Sequence, residues 1–468
     1  MTSLLLLMTV LSSSFSSSPP APLAPVPTRR QLDWQKLGQY AFVHFGPNTF
    51  TGNEWGHGTE AESVFNPKNL DCRQWVRTFK KAGLTGVMIT AKHHDGFCLW
   101  PSQLSKHTVA QSPWRDGKGD VLKDLSEACR AEGMKFGVYL SPWDRNHPSY
   151  GTPEYNKVFE GMLREVLTHY GPVFEVWFDG ANGEGPNGKK QVYDWPGFVS
   201  VVRQCQPHAV IFSDAGPDIR WVGNEEGHSA PTCWSTIDRE RYHPGTPYYT
   251  ELTEGKEGGT DWVPAECDVS IRPGWFYKTS EDSKIKTTDH LVRLWEQSVG
   301  HNANLILNVP ASTDGVISQF DVDALDRWHD ELKATYGHDL AKGAHATADV
   351  ERGHGFEASR VTDGRDTTYW AAPDHENHGV LTLELSQPAT FDRVELREPI
   401  ELGQRIAAFR IEVDSGSGWT ELAKGTTVGN RRIIPVPATT SAKVRVTILD
   451  SRACPAISTF ALYKTAKP

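Results

Sequence analysis

The sequence predicts a (β/α)8-like barrel followed by a C-terminal all-β domain of jelly-roll or β-sandwich type. Three observations predict it. From about residue 36 to about residue 335, short apolar runs alternate with longer amphipathic stretches, the pattern of parallel strands joined by helical crossovers. Polar residues suited to chemistry fall directly after those runs, where a barrel carries its active site. Beyond about Tyr336 the alternation stops, and short β-rich runs separated by Gly, Asn or Asp turns replace it. The expected division is a leader at 1–30, a barrel at 31–338 and a β-domain at 343–466. An open doubly wound sheet is the competing arrangement for the first part.

Each element follows from its pattern. Tyr40 to Gly46 reads as a buried strand ending in polar residues, Gln74 to Lys81 as a helix, and Thr85 to Thr90 as the next strand. Helices are expected at Val121 to Glu132, Tyr155 to Tyr170 and Trp195 to Gln206. Strands are expected at Lys135 to Leu140, Phe174 to Phe178 and Ala209 to Phe212. The C-terminal strands are Val380 to Leu385, Arg393 to Leu396, Phe409 to Val413 and Lys443 to Ile448, several with period-2 alternation.

Composition narrows the function. The 468 residues carry a formal net charge of −10, and the close basic pairs, such as Lys80–Lys81 and Arg431–Arg432, form no stripe. A nucleic-acid partner is therefore not expected. The 16 Trp suit stacking on sugar faces, although most indoles in a large chain fill its core. Seven cysteines at wide spacings, with no CxxC pair, predict buried thiols with room for one disulfide, and no zinc site. Leu4 to Leu11 is a short apolar run, followed by a Ser- and Pro-rich stretch. It reads as an export signal, with Ala21 and Ala24 as small residues for a peptidase, and places the protein outside the cell or in a periplasm. No other segment approaches the roughly 18 apolar residues of a membrane span.

The residues that suit chemistry lie at strand ends. Asp179 follows an apolar strand directly, and Gly180 leaves room for a ligand against the backbone. A carboxylate held there can attack an anomeric carbon; on this fragment alone a turn aspartate would look the same. His93 and His94 leave a strand in opposite directions unless the chain bends, and Gly96 permits a bend. Neutral imidazoles that donate and accept suit vicinal hydroxyls. Glu54–Trp55 sets a carboxylate beside an indole in a Gly-containing loop. A glycosidase needs a second carboxyl with a raised pKa. Glu225, Glu226 and Glu266 are the candidates, and spacing does not choose among them.

In order along the chain, His44-Phe45-Gly46, Glu54-Trp55, Lys92 to Ser102, Tyr139 to Asp144 and Trp177 to Gly180 resemble glycoside hydrolase family 29 α-L-fucosidases over about residues 34 to 335. Phe212 to Asp218, Trp221 to Glu225, Trp262 to Asp268 and Arg272 to Trp275 resemble the branch acting on α-1,3- and α-1,4-linked fucose in branched glycans. The resemblance implies a retaining double displacement, with Asp179 as nucleophile and Glu225 as acid/base. His44, Glu54, Trp55, His93 and His94 match groups that bond fucose hydroxyls. Tyr139, Trp177, Arg272 and Trp275 complete the expected sugar-binding set. The expected partner is a fucosylated oligosaccharide or glycoconjugate, with no cofactor, no catalytic metal and no membrane. Ala358 to Gly364 with Thr368-Tyr369-Trp370 resemble a discoidin-type (F5/8 type C) module, which implies a structural Ca²⁺ and, in some relatives, carbohydrate binding. Two other functions are weighed: a non-catalytic fucosylated-glycan-binding protein, and a hydrolase of another sugar such as galactose.

Overall fold

The computed structural model describes residues 18–466. Eight parallel strands close into a barrel: β1 (Gln39–Val43), β2 (Gly86–Lys92), β3 (Lys135–Leu140), β4 (Glu175–Trp177), β5 (Val210–Ser213), β6 (Ile219–Trp221), β7 (Ala265–Ser270) and β8 (Asn304–Asn308). They follow one another around the ring, and β8 pairs β1 with Tyr40 opposite Ile306. The barrel and the all-β domain are as expected; the export signal falls largely on residues 1–17, outside the described residues.

The helices that face solvent and the barrel are α1 (Cys72–Lys81), α2 (Val121–Glu132), α3 (Pro153–His169), α4 (Trp195–Cys205), α5 (Thr288–Ser298) and α6 (Gln319–Tyr336). Their starts are written in the sequence. Asp71, Asp120 and Asp194 accept from backbone N–H groups in the first turns of α1, α2 and α4. Pro153 opens α3, where no N–H is needed.

One departure from a regular (β/α)8 alternation stands out. β5 and β6 pair in parallel, yet only residues 214–218 join them, with no helix. Asp218 closes this turn: its carboxylate accepts from Arg30 Nε at 3.2 Å, Arg203 Nη2 at 2.5 Å and the Ile211 backbone at 2.7 Å.

Strand alternation sorts the side chains. One apolar cluster, including Tyr40, Phe42, Met88, Tyr139, Trp177, Phe212 and Ile306, fills the barrel interior. A larger one joins the outer faces of the strands to the helices.

The C-terminal sheet is antiparallel, in the order β9 (His345–Ala348), β10 (Gly379–Arg397), β13 (Arg432–Ser451), β11 (Ile406–Asp414), β12 (Trp419–Gly425), with β14 (Thr459–Tyr463) on β10. The two runs expected at 380–385 and 393–396 are one strand, because β10 continues through register irregularities between Glu384 and Arg393. All seven cysteines are free thiols, six of them buried. No helix among the described residues is long and apolar enough to cross a membrane.

Candidate active site

A cavity opens at the C-terminal mouth of the barrel. Phe42, His44, Glu54, Trp55, His93, His94, Tyr139, Trp177, Asp179, Glu225, Asp268 and Trp275 line it. Period-2 alternation explains most of the set. His44 continues the inward series Tyr40, Phe42; Asp179 continues Glu175, Trp177; Asp268 continues Glu266. These three strands therefore each place one polar residue above Phe42, Trp177 and Glu266 of the interior.

His44 and His94 are held as neutral acceptors. Asn308 donates its amide to Ser270 Oγ and to the Trp275 carbonyl, both at 2.9 Å, so its Oδ1 faces His44 and accepts from Nδ1–H at 2.8 Å. Nε2 of His44 is left as an acceptor. Burial pushes the His44 pKa down to about 3. Ser141 donates to the Trp143 carbonyl at 2.9 Å and so accepts from His94 Nδ1–H at 2.8 Å. Burial lowers the His94 pKa to about 4, against the opposing pull of Asp179, whose Oδ2 lies 3.6 Å from Nε2. His93 is also held neutral by burial, and its Nδ1 has no partner although it is buried. A buried polar atom left unpaired is costly, and a ligand hydroxyl would satisfy it.

Both imidazoles of the His93–His94 pair enter one pocket, with ring centroids 4.2 Å apart. The bend comes from a register irregularity between Thr90 and Lys92 and from the turn at Gly96, whose φ of +86° favours glycine.

Asp179 is fixed on both oxygens. Tyr139 donates its hydroxyl to Oδ2 at 3.1 Å, and the Ala181 backbone N–H donates to Oδ1 at 2.7 Å. Glu54 accepts from the Trp275 backbone N–H at 2.9 Å and pairs with Lys278, so it ties the loop after β7 to the loop after β1. Trp55 stands at the rim, 59% exposed, edge-on to Trp143.

Glu225 lies on the loop after β6, where Gly223 takes a φ of +91° and leaves no space for a Cβ against the Tyr249 backbone. The residue is exposed at the mouth, and the Trp275 indole N–H donates to its Oε2 at 3.3 Å. Burial of that carboxyl raises its pKa, the indole bond lowers it, and the Asp179 charge raises it further; the net shift is upward. Such a carboxyl can hold a proton to hand on.

The other carboxyl candidates are corrected by position. Glu266 is fully buried one layer below the cavity, where it accepts from Trp177 Nε1 at 2.7 Å and from the Tyr40 hydroxyl, and it shares the interior with Glu175. It does not line the cavity. Glu226 points to solvent and bonds His228 at 3.0 Å. Arg272, expected to bind sugar, is instead fully buried and fastened to Asp321 and Asp282 at 2.9 Å each. It anchors the loop that presents Trp275 and does not line the cavity. The missed residues are Asp268 and Phe42; counting the alternation two residues up from Glu266 and from Tyr40 would have found both.

A family model described as Alpha-L-fucosidase matches residues 27–334. The chain belongs to the α-L-fucosidases of glycoside hydrolase family 29. It is 42% identical to Alpha-L-fucosidase 1 of Arabidopsis thaliana, over 97% of this chain and 90% of that one, and 43% identical to a putative α-L-fucosidase of Oryza sativa over 97% and 88%. A crystal structure of a putative α-L-fucosidase from Bacteroides thetaiotaomicron superposes with a TM-score of 0.91 at 36% identity, covering 96% of this chain and all of that one. A Ruminococcus gnavus GH29 fucosidase in complex with fucose superposes with a TM-score of 0.88 at 33% identity, covering 97% of each chain. Residues 360–446 match a model of a NedA-like, galactose-binding domain. Catalysis in this family needs no cofactor. Among the described residues no group of three or more His, Cys, Asp or Glu side chains is placed to hold a metal ion.

Proposed function

We propose that this glycosidase is a retaining α-L-fucosidase that releases α-1,3- and α-1,4-linked L-fucose from branched, Lewis-type glycans. The observation that carries the retaining reading is the pair Asp179 and Glu225 on one cavity, the first held by two donors and the second with a raised pKa. Fucose bound in the Ruminococcus gnavus relative supports the sugar. The linkage rests on the resemblance of the Trp221–Glu225 and Trp262–Asp268 stretches.

In the first step an Asp179 oxygen attacks the anomeric carbon while Glu225 gives its proton to the departing glycosidic oxygen. A covalent fucosyl ester forms as the C–O bond breaks. Glu225, now ionised, takes a proton from water, and that water displaces Asp179 with the configuration retained. The two carboxyls of a retaining enzyme work about 5–5.5 Å apart. His44 and His94 offer acceptors, and His93 its unpaired nitrogen, to sugar hydroxyls. Trp55 offers an exposed indole face to the rest of the glycan. The leader is proposed to export the enzyme, and the C-terminal module to carry a structural Ca²⁺.

Incubation with linkage-defined Lewis-type oligosaccharides, followed by NMR of the first anomer released, tests this. α-L-Fucose is expected first; β-L-fucose first would make the enzyme inverting, and release of galactose alone would change the substrate. Asp179→Ala is expected to lose turnover and keep fucose binding. A variant with near-parental turnover removes Asp179 from the mechanism. A parent protein that binds fucosylated glycans without releasing fucose would be a lectin.

A further inference from the structure

The pocket holds a carboxyl that the double displacement does not use. Asp268 sits on β7 two residues beyond Glu266, so it points the same way into the barrel, one layer nearer the mouth. It is 4% exposed. Its Oδ1 accepts from Trp221 Nε1 at 2.8 Å, and Trp221 ends the strand that leads to Glu225. Asp268 lines the cavity, and Trp221 is the one other residue that hydrogen-bonds its carboxyl among the described residues. Burial and the Glu225 and Glu266 carboxyls push the Asp268 pKa up, the Trp221 indole and the Asp268 backbone N–H oppose them, and the net shift is well upward, with no cation among these groups. A buried carboxylate with no counter-ion beside two other carboxyls is unfavourable, so the group keeps its proton. A protonated carboxyl is a hydrogen-bond donor, and the groups beside it in the pocket, His44 Nε2, His94 Nε2 and the Asp179 carboxylate, accept.

We propose that Asp268 is a fourth functional carboxyl of the sugar site, beside Asp179, Glu225 and Glu54, holding Trp221 with one oxygen and donating its O–H to a fucose hydroxyl oxygen with the other. The inference rests on the fucosidase reading. Asp268→Ala and Asp268→Asn, each made alone and in the Asp179→Ala background, test it by fucose titration, by kcat/KM with its pH profile, and by thermal midpoint. Loss of one donor to a buried hydroxyl predicts fucose binding weakened about tenfold to hundredfold in Asp268→Ala. The asparagine amide keeps a donor and is expected to recover about tenfold of that loss, with both limbs of the pH profile in place. Equal losses in the two variants, or fucose binding by Asp268→Ala at the parental level, overturn the proposal. So does a shift of the alkaline limb by about one pH unit in Asp268→Asn, which would make Asp268 a charged group acting on Glu225. If Asp268→Ala does not fold, Asp268→Ser, whose hydroxyl is too short to reach both Trp221 and sugar, replaces it with the same expectation. A parent that binds no fucose fails the functional reading itself; a parent that binds while the Asp268 variants behave alike fails only this inference.

Discussion

Glu225 and Trp275 show how single residues set the chemistry. In the proposed mechanism Glu225 must be protonated to act as acid, so its raised pKa would extend activity to higher pH, and activity is expected to fall as the group ionises. Glu225→Gln is expected to lower kcat/KM by about 10²–10⁴ on natural glycans and to erase the alkaline limb. Trp275→Phe keeps the ring over the carboxyl but removes the N–H that favours its ionised form. The alkaline limb should therefore move to higher pH, read from kcat/KM profiles. A shift to lower pH would mean that burial by the indole, not its hydrogen bond, controls Glu225. The choice of Glu225 over Glu266 was not legible in spacing. Glu225 follows β6 and Glu266 lies within β7, and only the barrel's depth separates a carboxyl at the mouth from one in the interior.

Strands and helices were read more easily than the joints between them. α2 and β3 match their expected bounds because capping Asp120 and the change from 3.6 to 2 periodicity are local signals. β6, β7 and β8 were not read at all. β6 has three residues, and β7 (Ala-Glu-Cys-Asp-Val-Ser) carries polar residues into the barrel where a core strand is expected to be apolar. The short β5–β6 joint depends on Asp218, whose partners Arg30 and Arg203 lie 188 and 15 residues away. Asp218→Ala leaves two arginines and the Ile211 N–H without their acceptor. Because both arginines are partly exposed, the expected cost is about 2–3 kcal/mol, below that of a fully buried pair. Urea denaturation measures it; a change under about 0.5 kcal/mol would show that the turn is held by strand pairing alone.

At the scale of the whole molecule, buried titratable groups set the pH of greatest stability. Burial raises Glu175, Asp214 and Glu398 to about 7 and Asp95 to about 6. Unfolded, they titrate near 4, so the folded chain binds more protons above that pH. This contribution is complete below about pH 4 and is lost as pH rises toward 7. Burial lowers His44 and His301 to about 3 and His94 to about 4. Unfolded, they take up a proton near pH 6.5, so their contribution is complete above that pH and is lost as pH falls from 6.5. The two sets oppose one another, but the four carboxyls outweigh the three imidazoles where both titrate, so the thermal midpoint is expected to fall as pH rises from about 4.5 to 7. A midpoint that rises steadily to pH 8 would contradict it.

The β-domain adds no residue to the cavity lining. It docks through Asn430, whose backbone N–H donates to Asn302 of the barrel at 2.8 Å, and through Arg393 on Glu296 at 2.8 Å. By itself the sequence determined the barrel class, the C-terminal β-domain, and residues such as His44, Asp179 and the histidine pair, because periodicity and strand-end position are local properties. Only the tertiary structure decided which distant carboxyl shares a cavity with Asp179. It alone showed Arg272 turned away into a buried ion pair and Asp268 turned in. Depth within a closed barrel depends on how all eight strands are staggered, and no single stretch of chain encodes that.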